Sequence, residues 1–116
     1  MKKKKLLNGW TRAKVMKAIE KKNKGYCSKE GKCLYRGPNK NMCFIGALIP
    51  NKEYDDAMEN NAAETLYEDF PRMSKILPFF AEDAANFQSI HDDLGEELET
   101  EELHKRAKKW LDKNFL

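Results

Sequence analysis

Apolar residues recur at helical spacing along most of the chain, and this periodicity constrains the fold more than any other feature of the sequence. From Trp10 to Lys24 they fall at intervals of one to three positions among lysines, and Gly25 follows as a residue that commonly ends a helix. A similar spacing returns in residues 62–70, 78–95 and 100–113. These segments predict amphipathic helices, each of which buries one face.

The pattern changes between the first and the second of these helices. Two short segments, Cys33–Arg36 and Met42–Ile45, flank the turn-forming sequence G-P-N-K-N, an arrangement typical of a β-hairpin. With a three-residue loop, Cys33 lies directly opposite Cys43, with Cβ atoms roughly 4.5 to 5.5 Å apart. We therefore expect an α+β fold that is predominantly helical and has one two-stranded β-hairpin.

The length of the chain, 116 residues, fits one domain, because domains most often have roughly 100 to 150 residues. We expect a single small domain over residues 1–116, in which the lysine-rich residues 1–7 can form a disordered basic arm. The sequence has no run of about 18 apolar residues and no signal-peptide pattern. It therefore predicts a cytoplasmic protein with no membrane partner, and it leaves a monomer and a homodimer both open.

Charge is segregated along the chain. Residues 1–24 hold ten basic side chains and one acidic side chain, whereas residues 53–102 hold two basic and sixteen acidic ones. Residues 103–116 return to five basic and one acidic, and the formal net charge of the whole chain is +3. Such an asymmetric charge distribution influences which charged partners are attracted to the protein, and it does not determine the fold. We call residues 53–102 the acidic block and residues 1–24 and 103–116 the basic end blocks. In the folded protein these blocks can either screen one another or form separate charged surfaces.

The densest motif is C-L-Y-R-G-P-N-K-N-M-C-F-I-G-A-L-I-P, from Cys33 to Pro50, followed by Tyr54 and later by I-H-D at residues 90–92. It resembles a group of small uncharacterised proteins encoded by bacteriophages and by prophage-bearing bacteria. That group shares a C-x-Y-R-x-P…C-x-I-G-x-L-I-P…Y core and a later I-H-D, and the resemblance covers about residues 27–93. It implies a phage-type protein in the cytoplasm of a bacterial host, and it implies no catalytic residues.

The resemblance and the charge segregation together favour a non-enzymatic interaction protein that binds a host component and antagonises a bacterial defence system. Its partner would be a host protein or a small nucleotide ligand. Tyr35, Arg36 and Asn39 are the candidate contact residues, because a hairpin tip presents polar groups and Arg suits bidentate contact with phosphate or carboxylate. Alternatively, Arg36 pairs with a carboxylate of the acidic block and Tyr35 covers the edge of the core.

A cysteine-dependent hydrolase or transferase is the alternative from another class, with Cys43 as nucleophile and His91 as base. Cys43 precedes an apolar segment that can begin a helix, and a helix amino terminus lowers the pKa of a thiol. However, His91 shares an apolar stripe with Phe87, which is typical of a packed core histidine. Asp92 lies about 100° further round the helix, so we do not expect it to orient His91.

Metal binding and nucleic-acid binding are the remaining candidates. Cys33, Cys43 and His91 could contribute to a zinc site, but the cysteine spacing lacks a C-x2-C pair, so we expect no cofactor. The basic amino-terminal helix could bind nucleic acid, and such binding would weaken steeply with salt. The acidic block could instead imitate a nucleic-acid backbone, although a chain that is basic overall does not favour this.

Overall fold

The computed structural model describes residues 3–26, 28–29 and 32–116. Its α-helices are α1 (Arg12–Lys22), α2 (Phe44–Leu48), α3 (Ala63–Asp69), α4 (Ala81–Leu94) and α5 (Thr100–Asn114). Short 3-10 helices cover Pro38–Lys40, Asn51–Glu53, Asp56–Asn60 and Pro71–Lys75. Two strands of two residues each, β1 (Ser28–Lys29) and β2 (Lys32–Cys33), pair antiparallel. No helix in the described ranges is long and apolar enough to cross a membrane.

The four helices predicted from periodicity are confirmed as α1, α3, α4 and α5. Helix α1 begins after Thr11, whose side-chain oxygen accepts a hydrogen bond from the backbone N–H of Lys14 at 3.1 Å and so satisfies one of the donors left open at a helix start. It buries Val15, Met16 and Ile19. Each apolar stripe therefore faces the core, as amphipathic spacing requires.

Helix α2 lies at the centre of the packing. All five of its residues are buried, and the helix packs against both α1 and α4. Helix α4 also packs against α3 and α5, and α5 packs against α1. Aromatic rings join these layers with centroids 5.1 to 5.7 Å apart, within the range of favourable ring contacts. The rings belong to Phe44, Phe79, Phe87, Trp110 and Phe115.

The predicted α+β fold with a hairpin is wrong, and the domain is helical. Met42–Ile45 leads into α2 instead of forming a strand. Asn39 and Lys40 have φ angles of 58° and 62°, so the chain turns in the left-handed region before α2 begins. Cys33 pairs with Ser28 instead of lying opposite Cys43. A short apolar run cannot be distinguished from a buried helical turn by its spacing, which is why the sequence misled here.

The amino-terminal basic arm runs beside the end of α5. The backbone N–H of Lys4 donates to the carbonyl of Asn114 at 3.0 Å, and the N–H of Leu116 donates to the carbonyl of Lys4 at 2.9 Å. The Lys4 ammonium also lies 3.0 Å from the carboxylate of Asp83 in α4. Further along, the N–H of Leu7 donates to the carbonyl of Pro78 at 2.8 Å. The structure thus places Lys4 and Leu7 in defined backbone contacts.

Gly46 allows α2 to approach the segment that precedes it. A Cβ atom at this position would overlap the backbone carbonyl of Tyr35. The two segments are also joined by the backbone N–H of Cys43, which donates to the carbonyl of Leu34 at 3.3 Å. The glycine in the motif is therefore explained by close backbone packing, because only a residue without a side chain fits there.

Substitution of Gly46 tests this packing. We expect Gly46→Ala to lower the free energy of unfolding by at least about 3 kcal/mol, because the obstacle is rigid backbone. Gly9→Ala is the control: Gly9 has a φ of 78° and open space around it, so backbone strain alone should cost about 1 kcal/mol. Urea denaturation followed by circular dichroism measures both, and equal losses would contradict the packing argument.

Candidate functional site

The structure places Tyr35 in the core rather than at an exposed tip. Only 5% of its surface is exposed, and its hydroxyl donates to the carbonyl of Asn61 at 2.7 Å. Burial raises the pKa of this hydroxyl, and the nearby negative charge of Glu59 raises it further. The phenol therefore stays protonated and acts as a hydrogen-bond donor that attaches the Asn61 segment to the core.

Arg36 binds the segment that follows α2. Its guanidinium donates to the side-chain oxygen of Asn51 at 2.6 Å and to the carbonyl of Ile49 at 2.7 Å. Its carbon Cζ lies 4.6 Å from the centre of the Tyr54 ring, a cation–π distance. Its buried Nε has no hydrogen-bond partner among the described residues. Arg36 is thus held by its two terminal nitrogens and by the ring of Tyr54.

The third predicted contact residue, Asn39, is exposed, and its carbonyl accepts a hydrogen bond from the Lys24 ammonium at 3.0 Å. Tyr35 is buried and Arg36 is committed to neighbouring groups, so the three residues do not present one polar surface together. The chain turns into α2 here instead of forming the predicted hairpin tip.

Glu59 connects the motif residues, and nothing in its sequence position distinguishes it from the other carboxylates of residues 53–102. One carboxylate oxygen accepts the backbone N–H of Tyr35 at 2.9 Å. The other accepts the backbone N–H of Arg36 at 3.0 Å and the hydroxyl of Tyr54 at 2.5 Å. Three donors from two separate segments therefore converge on a single side chain.

Replacing this carboxylate tests its structural role. We expect Glu59→Gln to lower the free energy of unfolding by about 2 kcal/mol, because the amide nitrogen cannot accept the bonds made by one oxygen. The exposed Glu64 provides the control, and Glu64→Gln should leave the free energy unchanged to within about 0.5 kcal/mol. Urea denaturation compares the two variants. Similar values for both would show that the three bonds contribute little.

Cys43 and His91 are both buried. Cys43 is 1% exposed, and it precedes α2 as expected, with its sulfur accepting the backbone N–H of Gly46 at 3.4 Å. His91 is 0% exposed, with Nε2 lying 3.2 Å from the carbonyl oxygen of Gly25. Its ring also lies 5.3 Å from that of Phe44. The histidine therefore packs within the core, where a substrate would need an opening of the structure to reach it.

The expectation about Asp92 is wrong. Its carboxylate lies 2.9 Å from Nδ1 of His91 and accepts a hydrogen bond from the Gln88 side chain at 2.8 Å. Neighbouring positions on a helix point in different directions, but the short carboxylate still reaches sideways to the ring. Gln88 extends the same network to α2, since its side-chain oxygen accepts the backbone N–H of Ile45 at 2.9 Å.

The zinc candidates do not form a complete group in the part of the chain that the structure describes. No cluster of three or more His, Cys, Asp or Glu side chains there could hold a metal ion. The side chain of Cys33 lies outside the described residues, so its role stays a prediction. His91 has a carbonyl at one ring nitrogen and a carboxylate at the other, which describes a hydrogen-bonded core histidine.

Alkylation distinguishes a buried thiol from an activated nucleophile at Cys43. We expect iodoacetamide near neutral pH to modify Cys43 far more slowly in the native protein than in urea, because the residue is 1% exposed. Mass spectrometry of peptides after timed quenching measures the rate at each cysteine. Rapid native alkylation at Cys43, faster than at the other cysteines, would instead support the hydrolase or transferase alternative.

A groove runs between α1 and α5, which lie antiparallel. At one end the Thr100 hydroxyl donates to the carbonyl of Lys24 at 3.2 Å, and at the other Arg12 lies 2.9 Å from Asp112. The groove has two adjoining parts of about 700 and 480 Å³, which share one apolar and one basic side chain, Met16 and Lys108. It was not foreseen from the sequence, because periodicity does not say which helices become neighbours.

Exposed lysines cover the outer surface of both helices. Lys17 and Lys21 are four positions apart on α1, and Lys105 and Lys109 are four apart on α5, so each pair shares one helix face. Lys24 is exposed just beyond the end of α1. We call these five residues the basic face. None of the five forms an ion pair with the side chains that the structure describes. The Lys24 ammonium donates to the carbonyl of Asn39, so Lys17, Lys21, Lys105 and Lys109 are the members that remain available to a negatively charged partner.

His104 lines the groove and joins α5 to the end of α1. Its Nε2 lies 2.8 Å from the side-chain oxygen of Asn23, and that side chain also donates to the carbonyl of Gly25 at 2.9 Å. Burial lowers the pKa of His104, and His91 lowers it further, whereas the charge of Glu20 raises it. The folded protein thus favours the neutral ring.

The lowered pKa of His104 predicts a pH dependence of stability. Below the ordinary value of about 6.5, the unfolded chain takes up a proton at His104 more readily than the folded one, so stability falls as the pH decreases. We expect His104→Gln to reduce the difference between the urea midpoints at pH 7.5 and pH 5.5. Identical differences in the variant and the original protein would contradict this assignment.

Comparisons with known proteins find no matching family model, no matching curated protein and no matching solved structure. The resemblance to phage-encoded proteins accordingly stays a prediction.

Proposed function

We propose that the protein is a non-enzymatic, phage-type interaction protein that binds a component of the bacterial host through the basic face of α1 and α5. The observation that carries this proposal is the packing of the two basic helices side by side, with exposed lysines on both. The predicted resemblance supports the bacterial setting, and antagonism of a defence system is the effect that we propose.

The folded protein keeps the charge separation of its sequence. Helix α1 packs against α5, and both are basic, whereas the acidic helix α3 packs against the acidic helix α4. Among the described side chains, two ion pairs join the basic end blocks to the acidic block, Lys4 with Asp83 and Arg106 with Glu102. The basic and acidic blocks therefore screen one another only in part. The electric field of such a charge distribution attracts partners of opposite charge to one side of the molecule.

The arrangement of the motif residues also favours binding over catalysis. Cys43 and His91 lie inside the core, where their described hydrogen bonds involve backbone and neighbouring side chains. Tyr35, Arg36 and Glu59 connect the chain before α2 with the segment after it. The motif thus supports the scaffold, and the accessible chemistry lies on the basic face.

Charge reversal on this face tests the proposal. Lys17→Glu with Lys105→Glu changes the formal net charge from +3 to −1. Lys52→Glu with Lys75→Glu makes the same change at exposed positions elsewhere. We expect the first pair to reduce capture of the host component from a bacterial lysate by roughly tenfold, because several exposed charge contacts are reversed together. The second pair should capture as the original protein does.

Quantitative mass spectrometry of the captured material measures both pairs, with circular dichroism as a check on folding. Equal losses in the two pairs would show that net charge acts without a specific face. A phage that lacks the protein should grow less well on a defended host. Unchanged growth on every defended host, together with no captured host component, would contradict the proposed function.

A further inference from the structure

We propose that the groove between α1 and α5 seats an acidic, amphipathic helix of a protein partner. This inference rests on the proposed function and names the chemistry of the partner that the basic face receives. A trough between two antiparallel helices accepts a third helix along its length, as in other helix-in-groove complexes.

The dimensions of the groove suit a short helix. It extends from Lys24 and Thr100 at one end to Arg12 and Asp112 at the other. Helix α1 has 11 residues, which corresponds to about 16 Å at a rise of roughly 1.5 Å per residue. A partner helix of about three to four turns would therefore span the groove.

The floor of the groove offers apolar contacts to such a helix. Ala13 and Met16 line it from α1, and Ala13 is exposed. Leu116 lines the Arg12 end and remains 60% exposed, an unusual position for a large apolar side chain. Met16 is already buried in the core. Burial of Ala13 and Leu116, together with the aliphatic stems of the neighbouring lysines, would favour a partner with one apolar face.

The charges around the groove select an acidic helix over a nucleic-acid backbone. Lys24 and Lys105 of the basic face line the groove together with Lys108, so acidic residues beside the apolar face of a partner would meet ammonium groups. Glu20 and Glu101 also line the groove, and they would repel phosphates placed between the helices. An amphipathic helix can present an apolar or a basic residue at those two positions, whereas a nucleic-acid backbone cannot.

A designed peptide provides a direct probe. It has about 14 residues, with leucine along one helical face and glutamate on the others, and its control has the same composition in an order without an apolar face. We expect the full-length protein to bind the first peptide with a Kd of roughly 1 to 100 μM, measured by fluorescence anisotropy, and to bind the control at least about tenfold more weakly.

Ala13→Trp should fill the groove without changing charge, and we expect it to weaken peptide binding by about tenfold or more. Ala57→Trp, at an exposed alanine outside the groove, should leave binding unchanged. Lys17→Glu with Lys105→Glu should also weaken binding by about tenfold. Circular dichroism and urea denaturation confirm that each variant is folded. Together these results would support an acidic helix in the groove.

Several outcomes would overturn the inference. Equal binding of both peptides, or no binding of the amphipathic one, would remove the amphipathic helix as occupant. Tighter binding of a duplex of about 20 base pairs, with a steep loss in salt, would indicate nucleic acid instead. Dimerisation abolished by Ala13→Trp, measured by analytical ultracentrifugation, would assign the groove to a second copy of the chain.

The inference and the proposed function fail in distinguishable ways. If the Ala13→Trp variant captures the host component normally while the Lys17→Glu, Lys105→Glu variant does not, the basic face binds the partner and the groove is not the binding site. If neither variant affects capture, the basic face itself is not the binding surface.

Discussion

The burial of α2 between α1 and α4 is the interaction on which the described structure depends. Its five residues are all buried, and its entry is possible because Gly46 passes against the carbonyl of Tyr35 without a side chain. Near this contact, the carboxylate of Glu59 accepts hydrogen bonds from the backbone N–H groups of Tyr35 and Arg36. Gln88 of α4 accepts a hydrogen bond from the backbone N–H of Ile45 in α2. The backbone N–H groups of Tyr35, Arg36 and Ile45 are thereby bonded, as buried polar groups require.

This central scaffold separates two kinds of chemistry. Inside it, Cys43, His91 and Tyr35 are buried, and their polar atoms connect segments of the chain. Outside it, α1 and α5 lie side by side and keep Lys17, Lys21, Lys105 and Lys109 in solvent, where charges need no desolvation. The accessible chemistry of the described residues is therefore electrostatic, which is why an interaction with a host component is the function that we propose.

Periodicity predicted the long helices because an amphipathic helix must place its apolar residues on one face whatever its neighbours are. It failed at Met42–Ile45, where four residues have too little length to distinguish a strand from a buried turn of helix. The turn at Asn39 and Lys40 then placed Tyr35 and Arg36 against the core instead of at a hairpin tip. The convergence of donors on Glu59 and the reach of Asp92 to His91 were also missed, since both depend on contacts between particular side chains.

The sequence by itself determined the position of the four longer helices, α1, α3, α4 and α5, and the segregation of charge, because both follow from the local order of residue types. Only the tertiary structure decided that α1 lies beside α5, that a groove remains between them, and that the motif cysteine and histidine are buried. These features depend on which surfaces meet in three dimensions. Residues far apart in the chain, such as Lys24 and Thr100, become neighbours only when the apolar faces pack into a common core.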